Sequence, residues 1–257
     1  MRTRAILLAT LLVAGLGASA IAGILLLGSS PTDQTITLTL LDHAGVMIEA
    51  QDLRLYIDPI NLEENYSTLP ADAVLITHNH TDHYQESIVN LLQKDGTVNV
   101  FPEIMADAIA AHDGVGVVPG ATVTVGSIVI TAFYMYTTAP EGFESSHPRE
   151  CNYTSYIVDI SGFTIFHAGD SKNITEYEQL AGTIDVALLP IGPGCQTMYN
   201  EEVVDAIATI QPKYFIPIHT TELNANLFLY VYGDDIESVS DCEAIVLADF
   251  ESHLFEP

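Results

Sequence analysis

The six residues His78-Asn79-His80-Thr81-Asp82-His83 place three imidazoles and a carboxylate in one short stretch, directly after the apolar run Ala73-Val74-Leu75-Ile76. A run of that kind reads as a buried strand, and its end is a stiff support from which neighbouring side chains can converge on one point. His78 and His80, two residues apart, point the same way if the strand geometry persists. Asp82 and His83 fall at the start of a helix expected over Tyr84 to Gln93, with Ile88, Leu91 and Leu92 on its apolar positions. They would reach a second point a few ångströms further on, so the spacing implies two metal ions. A lone surface histidine is commonly solvated and inert, but four ligand-type residues at this spacing after a buried strand are poorly explained that way.

The chain around this stretch alternates. Thr35 to Leu41, Val46 to Glu49 and Leu53 to Pro59 read as an antiparallel meander ending at Asp58. A second helix is expected over Pro102 to Ala111. Pro119-Gly120 opens a hairpin of Thr122–Val125 and Ile128–Phe133. Ser155–Asp159 and Phe163–His167 form another, leading to Asp170. Asp185-Val186-Ala187-Leu188-Leu189-Pro190 then echoes Asp72-Ala73-Val74-Leu75-Ile76-Thr77, so two related β-rich halves are expected. A helix capped by Asn200 carries Val203, Val204, Ile207 and Ile210 on one face and stops at Pro212. Tyr214 to Ile218 is a strand that delivers His219. Two sheets face to face with helices outside would bury both faces of every strand.

Charge narrows the partners. Seven Lys+Arg stand against thirty-four Asp+Glu, a formal net charge of −27. Binding a phosphate backbone takes clustered cations, and this chain has none to cluster, so a nucleic-acid partner is excluded from the reading. At the N-terminus Arg2 and Arg4 precede an uncharged apolar run from Ala5 to Leu27. As a helix that run spans roughly 34 Å, the thickness of a bilayer core. Residues 1–30 are therefore read as a membrane anchor and residues 31–257 as one catalytic domain. The basic start keeps the N-terminus cytoplasmic and places the domain outside the cell. The alternative is a signal peptide cut after Ala18-Ser19-Ala20, giving a secreted protein. Outside the cell, Cys151, Cys195 and Cys242 leave room for one disulfide and an odd thiol.

His78-x-His80-x-Asp82-His83 resembles the His-x-His-x-Asp-His signature of the metallo-β-lactamase superfamily. Four further segments carry the resemblance: Leu41-Asp42-His43-Ala44-Gly45-Val46, Ser146-His147-Pro148-Arg149, His167-Ala168-Gly169-Asp170-Ser171 and Ile216-Pro217-Ile218-His219. It covers nearly all of Thr35 to His219, with Asp42 standing where glycine is usual. The branch it points to holds metal-dependent hydrolases grouped with ascorbate-6-phosphate lactonase and, more distantly, N-acyl-phosphatidylethanolamine phospholipase D. It implies an α+β fold, a four-layer αββα sandwich, here preceded by one transmembrane helix.

Carried over residue by residue, the resemblance gives one metal His78, His80 and His147, the other Asp82, His83 and His219, with Asp170 bridging. Asp82, His83 and Asp170 form the catalytic centre. Two divalent ions are implied, Zn²⁺ first, with Mn²⁺ or iron as alternatives, and with them a metal-bound hydroxide that attacks an ester-like bond, a phosphodiester or a lactone. The substrate expected is a small or lipid-like molecule. Four more residues are candidates around the ligands: His43 as a pocket residue or a backbone-bonding one, Asp58 as the acceptor that orients a ligand imidazole ahead of a mere turn residue before proline, and Arg149 and Lys172 as holders of a substrate anion. The last two can equally offset nearby acids such as Glu150. His167 is expected to pack, His112 and His253 to lie on the surface. The rival functions are a binding or scaffold module, which would be expected to have lost ligands, and a di-iron redox enzyme.

Overall fold

The computed structural model describes residues 35–192 and 194–257. The apolar run at 5–27, and with it the expected transmembrane helix, lies outside the described residues. Among the described residues no helix is long and apolar enough to cross a membrane.

Fourteen strands form two seven-stranded sheets. The first holds β1 (Ile36–Leu40), β2 (Val46–Ala50), β3 (Leu53–Ile57), β4 (Ala73–Leu75), β5 (Val98–Pro102) and β6 (Val115–Val117), with β14 (Ser252–Phe255) on its far edge beside β1. The second runs from β7 (Thr122–Val125) through β8 (Ile128–Tyr134), β9 (Thr154–Ile160), β10 (Phe163–His167), β11 (Val186–Pro190) and β12 (Tyr214–Ile218) to β13 (Glu243–Ala244). Each sheet is built the same way. An antiparallel meander, β1-β2-β3 or β8-β9-β10, passes into parallel strands, β4-β5-β6 or β11-β12-β13. The echo between residues 72–77 and 185–190 is this repeated plan, for it places β4 and β11 at matching positions.

Alternation along the strands decides which face each residue serves. Leu55, Ile57, Ala73 and Leu75 turn inward, where they meet Ile130, Val158, Ile165, Val186 and Ile216 of the other sheet in one continuous core. Their neighbours Tyr56, Val74 and Ile76 turn outward, against Ile88 and Val89 of α1 (Glu86–Leu91) and Ala108 of α2 (Ala106–Ala111). Phe166, Ala187, Leu189 and Phe215 do the same beneath α3 (Asn200–Ile210) and α4 (Glu222–Val239). The result is helix, sheet, sheet, helix. A buried Leu or Ile in such a core stabilises it by about 2–5 kcal/mol relative to alanine.

Several local expectations are corrected. Helix α1 begins at Glu86, so Asp82 and His83 sit in the turn ahead of it, where the His83 N–H donates to His80 O at 3.0 Å. Tyr199, not Asn200, occupies the cap of α3, its N–H held by the Glu202 carboxylate at 2.7 Å. Val204 is only partly buried and Ala206 takes its place on the inner face. His112 is buried at 8% exposure, with a ring nitrogen 3.1 Å from the Tyr84 hydroxyl. All three cysteines are free.

Candidate metal centre

Parallel strands end on the same side, and both sheets use that side. From the first sheet, β3 ends in Asp58, the β4 end leads into His78, His80, Asp82 and His83, and the β1–β2 turn supplies His43. From the second, β10 ends before Asp170, β12 before His219, and the loop from β8 to β9 brings His147. The seven residues matched to ligands thus meet at one end of the sandwich. With His43 added, they fall into two groups with no residue in common, the donor atoms within each lying within 4.8 Å of one another: His78, His80, His147 and Asp170 in one, and His43, Asp82, His83 and His219 in the other.

Asp170 lies between the groups. Its Oδ2 is 3.3 Å from His219 Nε2, 3.6 Å from His147 Nε2 and 3.8 Å from His78 Nε2, and its Oδ1 is 3.0 Å from His83 Nε2. Gly169 makes that placement possible. It sits at φ +56, and a Cβ there would come 2.7 Å from the Met135 sulfur and 3.1 Å from Thr77. Backbone strain recurs around the centre: His43, Asp58 and His219, none of them glycine, hold φ values of 62, 47 and 59. Such conformations cost free energy and persist where the surrounding structure imposes them.

A buried hydrogen-bond chain aims the imidazoles. Asp58, fully buried, accepts from the Thr77 N–H at 2.7 Å and the Thr77 hydroxyl at 2.6 Å, and from His83 Nδ1 at 2.8 Å. Because the Thr77 hydroxyl donates to Asp58, it accepts from His78 Nδ1 at 2.9 Å. Both rings therefore carry their protons on Nδ1 and turn Nε2 toward the centre. His147 Nδ1 meets the Ser146 hydroxyl at 3.1 Å, and its Nε2 is 3.2 Å from His80 Nδ1.

The inward atoms approach one another without meeting hydrogen-bond geometry. His43 Nε2, His78 Nε2, His83 Nε2, His219 Nε2 and both Asp170 oxygens are buried without a hydrogen-bond partner. Each such atom costs about 1–3 kcal/mol if left so, and together they form a donor set suited to divalent cations. The electrostatics agree. Burial, reinforced by the neighbouring His83, holds His78 well below the usual histidine range, and burial brings His147 down to about 4, leaving both neutral as ligation requires. Burial also opposes charge on His83, but Asp170 and Asp58 outweigh it and raise the group to about 10.

The remaining candidates separate. His43 Nε2 lies 3.4 Å from Asp82 Oδ2, its ring is 3.9 Å from the His219 ring, and its carbonyl accepts from the His219 N–H at 3.0 Å. It lines a 370 Å³ cavity with His219, Gly194 and Asn224. His167 is buried and donates from Nε2 to Ala44 O at 2.8 Å. The cations read as anion holders are both paired. Lys172 is buried with Nζ 2.7 Å from Glu202, and Arg149 is joined to Glu176. The acids concerned are Glu202 and Glu176 rather than Glu150. The residue unmarked by the sequence is Cys195, whose thiol lies within 4.8 Å of the donor atoms of Asp170 and His219.

Comparison with known proteins points the same way. Residues 37–219 match the family model described as the beta-lactamase superfamily domain. The chain is 32% identical over 198 residues to a UPF0173 metal-dependent hydrolase of Pyrococcus furiosus, covering 72% of this chain and 84% of that one. It is 31% identical over 192 residues to another from Thermococcus kodakarensis, covering 70% and 82%. Among solved structures, a Parabacteroides distasonis protein described as a metal-dependent hydrolase superposes with a TM-score of 0.71 at 26% identity, over 83% of this chain and 93% of its own.

Proposed function

From the premise that this chain belongs to the metallo-β-lactamase superfamily and is a metal-dependent hydrolase, we propose that it cleaves an ester-like bond, a phosphodiester or a lactone, at a two-ion centre. His78, His80 and His147 would hold one ion and Asp82, His83 and His219 the other, with Asp170 shared between them. The observation that carries the reading is the set of buried, unpartnered nitrogens and oxygens facing one another across Asp170. Zn²⁺ fits this imidazole-rich set, and Mn²⁺ or iron are the alternatives. Two such ions supply an activated water near neutral pH and polarise the oxygen under attack.

The chain's own residues do the positioning. Asp58 and Thr77 hold Nδ1 of His83 and of His78, so that both rings turn Nε2 inward without rotating. Asp82, with its side chain 39% exposed, and His43, at 28%, border the open side. The test is metal content of the purified chain beside a panel of phosphodiester, lactone, thioester and β-lactam substrates. Turnover of a phosphodiester or lactone that follows metal content is expected; turnover of the β-lactam alone, or a redox reaction, overturns the reading.

A lipid-like substrate is a second reading, favoured by one feature. Leu223, Leu227, Tyr230 and Val231 are 77%, 57%, 87% and 56% exposed along α4. A 380 Å³ groove lined by Leu227, Phe228 and Val231 shares Ile191, Gly192, Thr220 and Asn224 with the cavity that holds His43 and His219. A substrate tail could lie there with its scissile bond at the ions. Lower KM for long-chain than short-chain lactones, abolished by Leu227→Ser, is expected. The same proposal places the domain on the outer membrane surface, from Arg2, Arg4 and the apolar run after them. Protease added to intact cells should then cut the domain, and complete protection would remove the orientation.

A further inference from the structure

Between β11 and α3 the chain makes a single turn, Gly194–Gln196, in which Cys195 holds φ 50 and ψ 27. A left-handed position of this kind is ordinarily given to glycine or asparagine. Here the loop is fixed from outside. The Ser146 hydroxyl donates to the Cys195 carbonyl, Gln196 Oε1 accepts from the Ser146 N–H at 2.9 Å, and Gln196 Nε2 donates to Glu144 O at 3.1 Å. The loop that carries His147 and the loop that carries Cys195 are therefore tied together, and the thiol is brought within 4.8 Å of Asp170 and His219.

An exposed cysteine by itself means little. What gives this one meaning is its neighbours: Asp170, whose two oxygens are unpartnered, and His219, whose Nε2 is, on side chains 0% and 7% exposed. The second ion position consequently has more donors than one ion uses. His43, Asp82, His83 and His219 form one set, and Asp170, Cys195 and His219 another, with His219 common to both. A tetrahedral ion takes four donors. Which ones it takes depends on the ion, because thiolate is a soft donor that favours Zn²⁺ and Co²⁺, whereas Mn²⁺ favours carboxylate and water.

We propose that Cys195 is a metal-dependent ligand of the second ion position, recruited as thiolate by Zn²⁺ or Co²⁺ and left as a free thiol with Mn²⁺. The sulfur–metal bond forms as the thiol proton passes to solvent, with no change of oxidation state. The inference rests on the two-ion reading above. It makes the centre's sensitivity to thiol reagents a function of the metal it holds: Cys195, exposed on its outer side, is shielded in the zinc form and reactive in the manganese form.

The test uses the full-length chain loaded with Co²⁺, then with Zn²⁺ or Mn²⁺. The cobalt form should show a sulfur-to-cobalt charge-transfer band in the near ultraviolet, lost in Cys195→Ser and kept in Cys151→Ser. In the unmutated chain, iodoacetamide should label Cys195 at least about tenfold more slowly with Zn²⁺ than with Mn²⁺, a comparison independent of how any variant folds. A chain that holds two Co²⁺ without the band, or a band that survives in Cys195→Ser, or equal labelling in both metal forms, overturns the assignment of Cys195 and leaves the two-ion centre standing. A chain that takes up no metal overturns both.

Discussion

The two halves of the centre differ in how tightly the protein closes them. Around the first position His78, His147 and Asp170 are fully buried, and His80 alone of that set is partly exposed. Around the second, His219 is 7% exposed, His43 28% and Asp82 39%, and a further donor, Cys195, stands at the rim. A closed set of imidazoles resembles a site built to retain its ion, and an open one with surplus donors resembles a site that exchanges ligands with substrate. On the two-ion reading, the two positions, each drawing ligands from both sheets, would divide the work: one holds, the other reacts.

That division can be broken at its shared member. Asp170→Ala removes the carboxylate that lies within 4 Å of imidazole nitrogens of both halves, and should empty both positions. Hydrolysis should fall by about three orders of magnitude, equivalent to roughly 4 kcal/mol of transition-state stabilisation. Steady-state kinetics beside metal analysis checks this, and an active variant with full metal content would show that the halves are independent.

Asp58→Asn sharpens the comparison, because Asp58 supports a ring of each half unequally. It accepts directly from His83 at 2.8 Å but reaches His78 only through Thr77. Metal affinity at the second position should drop about 10- to 100-fold, and at the first by less. Competitive titration with a chelator separates the two, and equal losses would remove the asymmetry.

The next effect is one of pH. His83, raised to about 10 by its two carboxylates against the penalty of burial, is protonated at neutral pH in the metal-free chain. A metal must displace that proton, so affinity at the second position should rise by about tenfold per pH unit above neutrality and level off as pH passes 10. At the first position His78 and His147 are already neutral, and affinity there should be nearly flat over the same range. The smallest effect belongs to Arg149, which is 62% exposed and paired to Glu176 away from the ligands. Arg149→Ala should shift thermal stability by no more than about 1 kcal/mol and leave metal content unchanged.

How much of this was legible in the sequence depended on range. The β4 run and the ligands after it are contiguous, so their convergence follows from strand geometry. The hairpins of β7–β8 and β9–β10 are local too, and their turns mark them. Strand β14 was hidden because it pairs with β1 from the far end of the chain. β5 was hidden by Asn99, a polar residue in its middle whose buried amide donates to His112 O and Gln93. Helix α4 escaped because its apolar residues Leu223, Leu227, Tyr230 and Val231 face outward and blur the periodicity that marks a buried face. At the site, Asp58 was legible as an acceptor for some ligand imidazole, but not for which one, since its partner His83 lies 25 residues on. Cys195 belongs to no motif, and its approach to Asp170 exists only once two loops are folded together.

The account stands or falls on occupancy, so the most direct measurement is metal content per chain in three proteins, unmutated, His78→Ala and His219→Ala, after the same dialysis. About two ions in the unmutated chain are predicted, about one in His219→Ala with the closed half still filled, and one or fewer in His78→Ala. A single ion in the unmutated chain, or two ions persisting in both variants, would contradict the division of the centre into a half that holds and a half that reacts.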